Sequence, residues 1–445
     1  MSRVVLLSGN PTEIGRAYGD LVGSTLRERA ERTRQCASRS AWSQAELAER
    51  AERFRTCVGR IAPEWLDEAE AMAKAAGVEA ADLYLLNALP RGFWDTPAGG
   101  CTAALVVGSQ SATGRTLLEK NRDVRNERQD FHVRRALGGA QIFASRDIGN
   151  LGFAHFHSDR LLAGANNTGG YIVPEEYRDC ALGDCHLLRL VAERAATCDE
   201  ALAILEEAIA KEVAGGGDPN RGSIFLFAEP ARGVVAEMTS RHLAWREVRD
   251  ATEVRTNHFL LDEMRPYAGD PPSANSLRRY ARAHEVLDPL ENKNVADLVR
   301  FSRDHADGAD SICCDNRQHP WMTLSACVHV LRPEATDPRA HSRVAMGNPL
   351  NTLYVPVTLA IEGLPAECVD GSFHDLSRRC YARGGLSDRL AEIQHEHERA
   401  LAAEFARVGA EARFGQPERL RPQLTEFVAR CVERVRALLE SLLGS

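Results

Sequence analysis

Residues 96–107 read TPAGGCTAALVV. Gly99 and Gly100 stand directly before Cys101, and Cys101 opens a mostly apolar run. A glycine pair permits a tight or strained corner, because a residue without Cβ reaches backbone conformations closed to other residues. The run after it has the composition of a buried strand. A cysteine placed where the corner becomes the strand has two readings. It is a core thiol that starts a strand after a loop, since free cysteine is among the most buried residue types. Or it is a nucleophile held rigidly at a sheet edge.

The second reading has a definite chemistry. A thiolate is a strong nucleophile, but at neutral pH it needs a nearby base or cation to form. If the peptide bond before Cys101 is cut, the freed α-amine, with a reference pKa near 8, lies beside the sulfur and serves as general base. Glycine before the cysteine lets the thiol approach the preceding carbonyl, and a strand after it holds the nucleophile in place.

Outward from this stretch the texture changes on both sides. Residues 1–90 read as helical. Ser43 and Glu46 form a capping box, Pro63 suits a first turn, and Gly77 suits a helix stop. After Cys101 come short apolar runs: CTAALVVG and RTLLEK, joined as a hairpin through Gly114, then QIFAS, LGFAHF, GGYIV, SIFLFAE, GVVAEMT and LAWREV. Helical blocks at 185–213 and 275–306 interrupt them. WMTLSACVHVL and TLYVPVTLA return to strand. The last stretch repeats apolar residues at three- and four-residue spacing, as an amphipathic helical pair does. The expected fold is α+β, a sandwich with antiparallel sheets between helical layers. The expected divisions are 1–100, a helical segment, 101–370, the catalytic core, and 371–445, a C-terminal helical extension. That extension packs on the core or on a second copy, which makes a homodimer an expectation.

The totals exclude some functions. The formal net charge is -8, against the basic footprint that nucleic-acid binding wants. Val4 to Leu7 is too short an apolar patch for a secretory signal, and no stretch approaches the roughly 18 apolar residues of a membrane helix. A cytoplasmic protein acting on a small molecule is expected. Its 12 cysteines are then reduced. Cys180, Cys185 and His186 lack a second half-site, and adjacent Cys313 and Cys314 are poorly spaced to ligate one ion. No metal and no cofactor is expected. GGGDPNRGS precedes a strand rather than a helix, which argues against a phosphate cradle.

Two further stretches bear on Cys101. EKNRDV ends the second strand of the hairpin with Asn121, Arg122 and Asp123, and a hairpin of this length returns Asp123 towards Cys101. VRTNHF places Asn257 and His258 at a strand end. A side-chain amide there can donate to a developing oxyanion. Each stretch alone is an ordinary turn.

Taken in order, the sequence resembles the acyl-coenzyme A:6-aminopenicillanic acid acyltransferase family, peptidase family C45 of the N-terminal-nucleophile hydrolases. GNPTEIGRAYGD is similar to the family's opening helix, GGCTAALV to its cleavage segment, EKNRD to its Asn-x-Asp segment and TNHF to its Asn-His stretch. DSICCDN, MTLSACV and AMGNP are similar to later landmarks. The resemblance runs from about Gly9 to about Leu359. It implies a four-layer αββα sandwich, made as a precursor that cuts itself between Gly100 and Cys101. It implies Cys101 as nucleophile and, through its amine, base. Asp123 would orient the amine or assist cleavage, and Asn257 would be an oxyanion donor beside the backbone N–H of Ala103. Two departures bear on substrate binding. Cys314 stands where the family usually has arginine, and Arg122 where it often has an aromatic residue. Arg122 and His258 are the expected substrate contacts.

The function implied is hydrolysis of a linear amide, such as an N-acyl or aminoacyl-amine, through an acyl-enzyme. Three alternatives stay open: acyl transfer from a thioester or amide to an amine, an unprocessed and inactive relative acting as a binding scaffold, and a metal-dependent hydrolase.

Overall fold

Val4 to Leu7, the lone apolar patch in a stretch expected to be helical, are the middle of a strand, β1 (Ser2–Gly9). The computed structural model describes residues 2–39, 42–89, 100–125, 129–215, 220–314, 321–332, 341–384, 387–412 and 417–444. Thr96 to Gly99, Gly216, Gly217, Asp315 and Asn316 lie outside them. β1 pairs in parallel with β4 (Gln129–Ala136), Val4 opposite Phe131. No local signal could place it, because its partner lies far along the chain. Its side chains alternate, Val5 and Leu7 entering one apolar cluster and Val4 another.

Four helices follow: α1 (Pro11–Arg39), α2 (Gln44–Ile61), α3 (Glu64–Ala76) and α4 (Ala80–Ala88). The capping box is present. The Glu46 N–H donates to Ser43 Oγ at 3.3 Å, and the Ser43 N–H donates to the Glu46 carboxylate at 2.6 Å. Gly77 ends α3 with φ +70°. The small residues of GNPTEIGRAYGD serve helix packing. A Cβ on Gly15 would lie 2.2 Å from the Glu68 carbonyl oxygen, and one on Gly19 2.4 Å from that of Met72, so α1 and α3 approach closely only with glycine there.

Among the described residues the strands form two sheets. One has eight strands in the order β1-β4-β5-β6-β7-β8-β9-β10. It contains β5 (Gln141–Asp147), β6 (His155–Ser158), β7 (Ala163–Tyr171), β8 (Arg221–Ala228), β9 (Gly233–Met238) and β10 (Leu243–Val248). The other has six antiparallel strands in the order β11-β2-β3-β12-β13-β14. These are β11 (Thr252–Arg255), β2 (Cys101–Val106), β3 (Leu117–Arg125), β12 (Trp321–Val330), β13 (His341–Ala345) and β14 (Val355–Thr358). The hairpin read around Gly114 is β2–β3, and Gly114 has φ +65°. Polar β4 and β7 (QDFHVRRA and AGANNTGGY) carry little strand signal, yet each is paired on both sides within the larger sheet.

The buried clusters define the layers. Ala103, Leu105 and Leu118 of one sheet meet Ala163, Ile224, Leu226 and Val235 of the other between the sheets. Phe225, Phe227 and Ala236 face outward onto α1–α4, α5 (Asp184–Arg194) and α6 (Cys198–Ala210). Ala104, Val106 and Val328 face α7 (Ala274–Leu287) and α8 (Val295–Phe301). The result is an α+β, αββα sandwich. The C-terminal helices α9 (Ala366–Asp370), α10 (Ser372–Arg383), α11 (Ser387–Ala412) and α12 (Pro417–Gly444) fold back on the same chain. Phe427, Val432, Val435 and Leu439 of α12 are buried in a cluster with Val4, Phe131 and Val355. No helix among the described residues is long and apolar enough to cross a membrane.

Candidate active site

Cys101 is the first residue of β2, and it faces Arg122 across the hairpin. Side chains alternate along a strand, so Cys101 shares the inter-sheet face with Ala103 and Leu105. Asp123 sits one step further, beside Gly100. Its backbone N–H donates to the Gly100 carbonyl at 2.9 Å. On the other side of the same peptide, the Cys101 N–H donates to Asn257 Oδ1 at 2.9 Å. The Gly100–Cys101 bond is therefore gripped at both its oxygen and its nitrogen.

Asn257 lies just past the end of β11, where the sequence placed it. Its orientation is determined by chemistry: Oδ1 also accepts from Arg279 Nη2 at 2.6 Å, and a guanidinium can only donate. Its Nδ2 donates to the Thr168 carbonyl at 2.7 Å. In the continuous chain Asn257 thus acts on Cys101 as an acceptor, and its donor group is engaged by β7.

Asp123 is buried, and Thr323 Oγ1 donates to its Oδ1 at 2.6 Å. Burial pushes its carboxyl above the ordinary range, opposed by the Arg279 charge and the Thr323 bond. Thr323 Oγ1 also accepts the Cys314 N–H at 2.8 Å, and Asn348 Nδ2 donates to the Cys314 carbonyl at 3.1 Å. The segments EKNRD, SICC, MTLSACV and AMGNP, separate in sequence, meet here. Asn121 ties β3 to this cluster, donating to the Ser302 and Ile312 carbonyls at 2.8 and 2.9 Å.

The other two candidates are engaged elsewhere. Arg122 turns to the larger sheet, with Nη1 2.6 Å from Asp147 Oδ1 and 2.8 Å from Gln129 Oε1. Its charge is neutralised inside the sandwich. His258 Nδ1 lies 2.8 Å from Ser276 Oγ, and its ring meets Tyr280 edge-on. Burial pushes it down to about 4, so it is neutral at pH 7.

Several residues at the site carried no sequence signal. Arg279 projects from an ordinary amphipathic helix. Lys120, on the Cys101 face of β3, donates to the Asn166 carbonyl and to Asn167 Oδ1 of β7. Glu119, on the opposite face, is fully buried, and neither of its oxygens has a hydrogen-bond partner among the described residues. Burial pushes its carboxyl well above the ordinary range. An unfolded chain would ionise Glu119 near its reference value while the fold keeps it protonated. Its contribution to stability therefore falls as pH rises above the ordinary carboxylate range, until the folded carboxyl ionises too. Glu119→Gln is expected to raise the melting temperature more at pH 8 than at pH 5, and an equal change at both would contradict a protonated Glu119.

Among the described residues one group of three side chains could hold a metal ion: His155, Cys327 and His329, with ligand atoms within 4.8 Å of one another. Their rings are already paired, His155 Nδ1 with His329 Nε2 at 3.0 Å and His329 Nδ1 with Ser342 Oγ at 2.7 Å. Cys180, Cys185 and His186 form no such group among the described residues.

No curated protein matches this chain. Among solved structures it is similar to a conjugated bile acid hydrolase variant from Clostridium perfringens at 11% identity, covering 58% of this chain and 92% of that one, with a TM-score of 0.40. It is similar to penicillin V acylase from Agrobacterium tumefaciens at 12% identity, covering 58% and 86%, with a TM-score of 0.39. It is also similar to the N-acylethanolamine-hydrolyzing acid amidase ortholog of Caenorhabditis elegans at 13% identity, covering 52% and 92%, with a TM-score of 0.36. Residues 171–338, which carry Asn257, His258 and the Ser311–Cys314 segment, match the model of the acyl-coenzyme A:6-aminopenicillanic acid acyl-transferase family, the family that the sequence resembles.

Proposed function

We propose that this chain is a cysteine N-terminal-nucleophile amidohydrolase that cuts itself between Gly100 and Cys101 and then hydrolyses a linear amide of a small amine. The observation that carries this reading is the grip on the Gly100–Cys101 peptide. Asp123 N–H lies where negative charge develops on the Gly100 oxygen, 2.9 Å away. Asn257 Oδ1 holds the nitrogen that must leave. The Cys101 sulfur adds to the Gly100 carbonyl carbon. The C–N bond breaks, and the thiol proton ends on the departing nitrogen. Water then hydrolyses the thioester, leaving a Gly100 carboxylate, a free thiol and a free α-amine. The same thiol and amine act on substrate: the amine takes the thiol proton, the thiol forms an acyl-enzyme with release of the substrate amine, and water completes the turnover. An amine that outcompetes water would take the acyl group instead.

The test is the mass of the purified protein after denaturation. Chains of 100 and 345 residues meeting between Gly100 and Cys101 are expected. A single intact chain removes the self-processing mechanism. The Asp123 side chain is tested separately. Asp123→Asn retains the backbone N–H and an acceptor for Thr323, but removes the carboxyl. Self-cleavage is expected to slow by about 100-fold or more, within the range of a lost acid–base group, while the melting temperature holds or rises because a buried carboxyl has been replaced by a neutral amide. Cleavage at the wild-type rate would confine Asp123 to a backbone role.

A further inference from the structure

Cys327 and His329 stand two residues apart on β12, so both point to the same face, and His155 meets them from β6 of the other sheet. None is more than 1% exposed. The reaction at Cys101 uses none of them. Their surroundings are apolar: the rings of Phe131 and Phe143 lie 6.1 and 6.2 Å from that of His155, and Cys327 shares a hydrophobic cluster with both. Polar rings give such a layer less than aliphatic side chains would, because each must find partners there or go without. Here the ligand atoms converge, all within 4.8 Å of one another. His155 Nδ1 is 3.0 Å from His329 Nε2, and Cys327 Sγ is 3.8 Å from His329 Nδ1. An ion bound by two nitrogens at about 2.0 Å and a sulfur at about 2.3 Å sets these atoms about 3.5–3.7 Å apart in a trigonal arrangement, so shifts of about 1 Å complete a site.

Ser342 supplies the outer support. Its Oγ lies 2.7 Å from His329 Nδ1, and its hydroxyl favours the thiolate of Cys327. With that hydroxyl donating to the sulfur, its oxygen accepts from Nδ1–H, and the lone pair of His329 Nε2 faces His155. The charges nearby select the ion. Among the described residues no carboxylate joins the group. Burial, with Lys120 and Arg122 close by, disfavours positive charge at His155. A divalent ion with one thiolate would add a net positive charge to this layer, whereas a monovalent ion with one thiolate is neutral. Thiolate and imidazole together suit soft copper(I).

We propose that His155 Nδ1, His329 Nε2 and Cys327 Sγ form a three-coordinate site for a soft monovalent cation of the copper(I) kind, which fastens the two sheets to each other. On binding, the thiol proton passes to solvent and the His155 proton moves from Nδ1 to Nε2. The hydrogen bond between the rings gives way to two metal–nitrogen bonds and one metal–sulfur bond, with no change of oxidation state. The ion is taken up as the sheets close, since the folded site is buried. The site is independent of self-cleavage and stands whether or not Cys101 is freed.

The full chain is refolded without oxygen in copper(I) buffered by a chromogenic chelator, beside Cys327→Ser, His155→Gln and His157→Gln. His157 is the control, because its ring lies 5.8 Å from that of His329 but it is not one of the three. Wild type and His157→Gln are expected to retain one copper more than Cys327→Ser and His155→Gln, which subtracts any copper on the other 11 of the 12 cysteines. Wild type should melt about 5 °C higher with copper(I) than without, and zinc should give no such rise. X-ray absorption on wild type is expected to show one sulfur and two nitrogens at the metal, a reading that needs no variant to fold. Equal copper in wild type and Cys327→Ser overturns the proposal, as does a copper surrounded by sulfur alone. Zinc that stabilises as much as copper(I) overturns the choice of a monovalent ion.

Discussion

Cys101→Ala is expected to remain one chain of 48.9 kDa after denaturation, under conditions where wild type separates into two. Without the sulfur no thioester can form, and hydrolysis of an unactivated peptide bond is too slow to be seen. The loss is therefore complete, whereas Cys101→Ser should cut slowly, because a hydroxyl can still add to the Gly100 carbonyl. Stability provides the control. Cys101 is only partly buried and stands at a strand end, so alanine there leaves a small gap, and the thermal transition should move little. A Cys101→Ala chain that is still cut at Gly100 would show that an outside protease makes the break. A chain that fails to fold would return Cys101 to the role of core residue.

The largest effect on stability is expected at Glu68, far from that chemistry. Glu68 lies on α3, 1% exposed, inside three guanidiniums. Arg134 of β4 meets it with Nη2 at 2.8 Å, Arg146 of β5 with Nη1 at 2.8 Å, and Arg189 of α5 joins them at its Oε2. Glu193 adds a second carboxylate, 2.7 Å from Arg189 Nε. One carboxylate thus fastens the outer helical layer to the larger sheet. Burial alone would raise the Glu68 carboxyl, but the guanidiniums of Arg134, Arg189 and Arg146 hold it well below its ordinary range. A depressed carboxyl contributes stability above its unfolded value, and that stability is lost as pH falls through the folded value. Glu68→Ala leaves Arg134 and Arg189 with Glu193 and takes from Arg146 its Glu68 partner, a change that costs about 3–5 kcal/mol in comparable buried networks. Glu68→Gln, nearly the same size, should lose most of that amount, since charge rather than volume is removed. Chemical denaturation reads both. A loss under about 1 kcal/mol for either would show that the network is hydrated or rearranges.

Much of the frame was legible in local pattern. Ser43 and Glu46 mark a helix start because a cap is a contact within four residues. Gly114 marks the β2–β3 hairpin because a left-handed turn needs glycine. The apolar run after Cys101 announces a strand buried on both faces, and Asn257 follows a strand end as read. What stayed hidden depends on partners distant in sequence. β1 was expected within helix and is a strand because β4 pairs with it. Only the end of β7 was legible as strand, in GGYIV; its polar part is held between β6 and β8 and lends its Thr168 carbonyl to Asn257.

By itself, then, the sequence determined most of the helices, several of the strands, the hairpin that carries Cys101 and Asp123, and the glycine that precedes the cysteine. Capping, turn and period signals act over a few residues. Only the tertiary structure decided that Arg122 turns to Asp147, that Asn257 accepts at Cys101, and that Arg279 donates to the same Asn257 oxygen. The position of a charge relative to a sheet edge is a property of the packed layers, and no spacing along the chain encodes it.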